Sequence, residues 1–129
     1  MDSLNNIACP IDVLPLRERR RSIRYTSRLP TRIHTKTKSD RIGVSRNLSC
    51  VGALIATSSR FAIGERAMLE FPFALDPADT ISVRGRIVRL QINAQAIDIW
   101  QRFFCGMEFL EPLDVDLLQF LLAVSSQGN

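Results

Sequence analysis

Two short segments carry residue types suited to gripping an anion. Residues 17–24 read Arg17-Glu18-Arg19-Arg20-Arg21-Ser22-Ile23-Arg24, five arginines within eight positions. A guanidinium is planar, stays charged, and can form paired hydrogen bonds to a phosphate or to the O6/N7 edge of guanine. Residues 47–52 read Asn47-Leu48-Ser49-Cys50-Val51-Gly52. The Asn amide offers both an acceptor and a donor, and the Ser hydroxyl can serve as either. Gly52 lets a backbone approach closely or take a positive φ. Alone, the first segment is compatible with a solvated basic tail and the second with an ordinary capped turn. Together they read as one anion-binding site in a small binding module rather than an enzyme.

The charge distribution supports a local anionic partner. Of the 17 basic and 13 acidic residues, residues 17–46 hold eleven basic and two acidic, leaving that segment at +9 and the remainder at −5. A concentrated basic segment on a mildly acidic body points to a defined contact region. At 129 residues, 46% of them hydrophobic, the chain fits one domain with a modest core. No stretch approaches the ~20 apolar residues that span a bilayer. Residues 1–16 include Asp2 and Asp12 and no basic start, so they do not read as a secretory leader. Cys9 lacks the preceding apolar run of a lipid-anchoring signal. Cys9, Cys50 and Cys105 are odd in number, widely spaced and without a CxxC pair, which argues against a disulfide framework or a zinc site and for a reducing, cytoplasmic setting.

Catalytic constellations find little support. His34, the one histidine, falls in a strand-like stretch without an evident nucleophile or carboxylate arranged around it, and reads as an exposed strand residue. Ser49 lacks the GxSxG elbow. Glu108, Glu111, Asp114 and Asp116 cluster near a helix start, where negative charge suits the helix dipole. Met107 and the phenylalanines read as core. Neither a P-loop nor a dinucleotide GxGxxG is present.

The elements that must position the two segments are mostly strands. Residues 1–16, with Pro10 and Pro15, read as a flexible extension. Leu29, Thr31, Ile33 and Thr35 alternate with polar or exposed positions, the period of a half-buried strand. Ile42, Val44 and Leu48 mark a second strand ending at the 47–52 turn. Residues 51–57 and 67–73 give two more, the latter entered by a turn at Gly64 and closed by a loop over 76–79. Residues 81–92 form a long strand whose apolar phase changes, with a bulge or bend expected at Gly85. Phe103, Cys105, Met107 and Phe109 alternate as a further strand. Leu113, Leu117, Leu121 and Val124, with Leu118 and Leu122, then make a helical stripe that Pro112 can open. The expected fold is mainly β, a small six-stranded antiparallel barrel with a C-terminal α-helix.

An RxxxR pair (Arg20 and Arg24) followed some twenty residues later by [D/N]xSxxG (Asn47, Ser49, Gly52) resembles the PilZ domain family, bacterial receptors for the second messenger cyclic di-GMP. The likeness extends to Gly85-Arg86-Ile87-Val88-Arg89, similar to the family's Gly-x-Val strand. Gly106-Met107-Glu108-Phe109-Leu110 is likewise similar to its Gly-x-x-Phe strand. The resemblance implies a PilZ domain over residues 17–125, between the extension and a disordered tail at 126–129.

It also implies that Arg20 and Arg24 grip phosphates and guanine edges while Asn47, Ser49 and Gly52 line the barrel surface and read another guanine. The family often has Asp where this chain has Asn47, an accepted alternative with one acceptor oxygen fewer. Arg19, directly before the RxxxR pair, implies two stacked ligand molecules, and Arg89 falls near a position that contacts ligand in relatives. No cofactor or metal is implied. The segment before Leu29 is expected to be mobile when empty and to order on binding, changing the surface shown to an unidentified downstream protein. Two other readings remain: a PilZ-like module that binds proteins and no nucleotide, and, ranked below it, a basic barrel binding RNA or DNA. The last fits poorly, since such barrels stack bases on exposed aromatics and here Tyr25 and Trp100 are isolated.

Overall fold

The computed structural model describes residues 23–72 and 80–127. The expectations for the 1–16 extension, for Arg17, Arg19, Arg20 and Arg21, and for the 76–79 loop lie outside those residues. Seven strands, a 3-10 turn and a helix follow one another: β1 (Tyr25–Thr26), β2 (Pro30–Thr35), β3 (Arg41–Leu48), β4 (Gly52–Thr57), β5 (Arg66–Pro72), β6 (Thr80–Ile92), the turn Ile99–Gln101, β7 (Phe103–Phe109) and α1 (Val115–Gln127). The ring β3-β2-β5-β6-β7-β4 closes because β4 also pairs with β3, and every pairing is antiparallel. Closure leaves the ring of six without an open edge. This is the expected six-stranded barrel with one C-terminal helix. The helix continues to Gln127, two residues past the expected domain end.

The barrel fills with the alternating residues of its strands. Leu29, Thr31, Ile33 and Thr35 are all buried, as are Cys105, Met107 and Phe109, so the period-two readings of β2 and β7 hold. In β3 the inward set differs from the expected Ile42, Val44 and Leu48. Ile42 is 52% exposed, whereas Ser45 and Leu48 are fully buried. Ser45 is tolerated inside because its hydroxyl shares a 2.7 Å hydrogen bond with Ser27 Oγ and accepts the Leu29 amide at 2.9 Å.

Ser45 and Leu48 are three apart, and a strand can bury both only by breaking its alternation. A register shift between Ser45 and Asn47 against β4 does this, leaving Arg46 as the extra residue. The same device occurs in β6. There the shift against β7 falls between Ile87 and Arg89, at Val88 and not at Gly85. Gly85 remains in register because its neighbours leave no room for a side chain: a Cβ would press on the Glu108 carbonyl oxygen and the Met107 methyl group.

The helix packs over one end of the barrel. Leu113, Leu118 and Leu121 are buried, and Leu117, Leu122 and Val124 pack partly against the same core. Pro112 precedes the helix, whose first residue is Val115. The Leu113 amide donates to the Cys50 carbonyl at 2.7 Å, and the Arg28 amide donates to Ser125 Oγ at 2.6 Å. Cys105 is free and buried. His34 is half-buried and not exposed: Nε2 lies 3.0 Å from Glu70 Oε1, and Nδ1 accepts the Asp40 amide. Among the described residues no helix is long and apolar enough to cross a membrane, and no cluster of His, Cys, Asp and Glu could hold a metal ion.

Candidate functional site

Arg24, at the end of the arginine segment, meets the 47–52 segment where β1 pairs with β3. Tyr25 stands opposite Leu48 and Thr26 opposite Asn47. This two-residue strand, too short to be visible in the sequence pattern, sets the end of the arginine segment beside the 47–52 turn. Arg24 Nη1 then donates to Asn47 Oδ1 at 2.9 Å on the exposed surface.

The turn is built by Ser49. Its amide donates to the Gly52 carbonyl at 2.9 Å, and its hydroxyl accepts the Val51 and Gly52 amides at 3.1 and 3.0 Å while lying 3.2 Å from the Gly52 carbonyl oxygen. One donor and two acceptor positions are thereby all in use. Ser49 is fully buried, so it shapes the surface where the sequence expectation had it line that surface. Gly52 is explained by close approach and not by a positive φ. It stands opposite Glu108 on β7, and a Cβ there would collide with the Met107 carbonyl oxygen.

Arg89 joins the same face from the other side. Asn47 pairs with Leu54, Leu54 with Gly106, and Gly106 with Arg89, one continuous row across β3, β4, β7 and β6. At about 4.8 Å per strand the row spans about 14 Å. Leu48, Ala53, Ile55, Cys105 and Met107, which flank the row, are buried, so the row faces outward. Gly106 keeps the middle low, and the Arg89 side chain passes directly over it, with Nε 3.4 Å from where a Cβ would stand. Each bulge adds a residue to this face: the β3 bulge sets Arg46 beside Asn47, and the β6 bulge sets Val88 beside Arg89.

Arg46 was not singled out from the sequence, since it reads as one more exposed basic residue. Its guanidinium lies over the Phe104 ring, 5.6 Å from the centroid, so Phe104, out of phase with Cys105 and Met107, faces outward, in contrast to the expectation that the phenylalanines are core. The face therefore presents Arg24, Arg46 and Arg89 around a shallow floor of Leu54 and Gly106. Cationic rims with a flat apolar floor suit a planar ligand bearing phosphates. Arg19 and Arg20 lie outside the described residues.

A family model described as "PilZ domain" matches residues 18–125. No curated protein matches the chain in sequence. Among solved structures, the Bacillus subtilis inhibitor of motility (MotI/DgrA) is similar in fold, with a TM-score of 0.56 and 16% identity over 82% of this chain. The chain spans about half, 48%, of that structure's length.

Proposed function

The chain belongs to the PilZ domain family, a family of binding and signalling modules, and from that premise we propose that it is a receptor for cyclic di-GMP. Arg20 and Arg24 hold phosphates and guanine edges, Asn47 and Arg89 contact the ligand along the outer row, and Ser49 and Gly52 fix the turn that presents Asn47. Arg19 adds the charge for a second, stacked ligand molecule. The observation that carries this reading is the Arg24–Asn47 hydrogen bond, which brings the end of one motif onto the start of the other.

The mechanism follows from charge. Five arginines within residues 17–24 repel one another, and a dianionic ligand removes that repulsion. Binding then draws the segment against the barrel and changes the surface offered to a downstream protein. Because Arg28 is tied to Ser125 on α1, the helix is part of that surface.

Calorimetry separates the readings. Binding of cyclic di-GMP by the full chain, lost in an Arg20→Ala, Arg24→Ala double variant, supports the receptor. No binding to cyclic di-GMP or to oligonucleotides leaves the protein-interaction module. Oligonucleotide binding with a steep salt dependence would instead indicate a nucleic-acid barrel.

A further inference from the structure

Beside the outer row, the connection between β6 and β7 folds up into the wall of a cleft of about 380 Å³, lined among others by Arg46, Asp98, Gln101 and Phe104. We infer that this cleft is a guanine-selective subsite of the ligand surface proposed above, with Arg46, Phe104 and Asp98 reading the base. The inference rests on the cyclic di-GMP reading and deepens it by naming further residues that read the guanine.

The cleft is contiguous with the row because the β3 bulge sets Arg46 next to Asn47 on the same face. The Arg46 guanidinium lies 5.6 Å from the Phe104 ring centroid, and its Nη1 donates to Gln101 Oε1 at a long 3.5 Å, so the cleft wall holds it from two sides. A guanidinium so held matches the O6/N7 edge of guanine, two acceptors side by side. Adenine offers a donor where guanine has O6, so the same guanidinium discriminates against it.

Asp98, which also lines the cleft, suits the Watson–Crick edge. Its Oδ1 accepts the Trp100 amide at 3.0 Å, capping the 3-10 turn. The second carboxylate oxygen remains to accept from guanine N1–H and N2–H₂. Asn47 cannot do this fully, having one acceptor oxygen that already takes Arg24. The carboxylate absent from the turn is thus present across the cleft. The wall is also held in place: Asn93 donates from its amide to the Gln101 carbonyl at 2.9 Å, and the Asn93 and Arg102 backbones bond at 2.8 Å.

The test is calorimetry of the full chain with cyclic di-GMP and cyclic di-AMP, comparing wild type, Arg46→Gln, Asp98→Asn and Arg24→Ala. Asn caps a helical turn as Asp does, so Asp98→Asn keeps the wall. Expected are roughly tenfold weaker cyclic di-GMP binding in Arg46→Gln and in Asp98→Asn, with the preference over cyclic di-AMP reduced by a similar factor. If Arg24→Ala loses cyclic di-GMP while both cleft variants bind within twofold of wild type, the subsite is overturned and the receptor stands. If wild type binds neither dinucleotide, the receptor reading fails and the subsite with it.

Discussion

Arg24 and Asn47, 23 residues apart in sequence, share a 2.9 Å hydrogen bond at the point where the short β1 pairs with the end of β3. The asparagine's single acceptor oxygen is therefore engaged before any ligand arrives. A carboxylate at this position could accept from Arg24 with one oxygen and from a guanine edge with the other. Asn47→Asp should tighten cyclic di-GMP binding roughly threefold to tenfold, and Asn47→Ala should weaken it by a similar factor. Titration calorimetry reads both; binding unchanged in both variants would remove Asn47 from the contact surface.

Ser49 should behave as a structural residue. Replacing it with Ala leaves the Val51 and Gly52 amides without their acceptor, which costs about 1–3 kcal/mol for buried donors. Urea unfolding should show that loss, and saturating cyclic di-GMP should still bind the folded fraction. Unchanged stability with abolished binding would make Ser49 a direct ligand contact instead.

Gly106 offers a way to move Arg89 without replacing it. A Cβ at 106 would stand 3.1 Å from the Arg89 Cβ and 3.4 Å from its Nε; side-chain rotation relieves the second contact, while the first requires β6 and β7 to part slightly. Gly106→Ala should therefore lower the urea midpoint modestly and weaken cyclic di-GMP binding of the folded protein severalfold. Full-strength binding would argue that Arg89 takes no part.

Cys105 gives a pH-dependent signature of the core. Burial pushes its thiol up from 9.0 to about 12, so the folded state keeps a proton that the unfolded chain releases. The sign follows directly: the contribution is fully present below pH 9.0 and is lost as pH rises towards about 12. The stability advantage of wild type over Cys105→Ala, measured by urea unfolding, should shrink across that window. A constant difference would mean that the thiol ionises equally in both states.

The strands that follow plain alternation were legible in the sequence, β2 through Leu29 to Thr35 and β7 through Cys105 to Phe109. Misreadings occurred where alternation breaks. The β3 bulge lets polar Ser45 take an inward place that Val44 and Ile42 seemed to claim, and the β6 bulge sits at Val88 because Gly85 is needed for close approach to β7. A pattern of residue types cannot show a one-residue insertion, since the evidence for it is in the partner strand. For the same reason Arg46 does not stand out as a site residue, whereas the outward place of Phe104 is already implied by the alternation of Cys105, Met107 and Phe109. The motif residues were found by their resemblance to a family; the geometry then divided them, with Arg24 and Asn47 on the surface and Ser49 inside.

Most direct for the central claim is a backbone NMR titration of the full chain with cyclic di-GMP. The account predicts that the largest amide shifts run along Arg24, Asn47, Leu54, Gly106 and Arg89, with new protection for residues 17–24. Shifts centred instead on the β2–β5 face around His34 and Glu70, or no shifts at ligand excess, would contradict it.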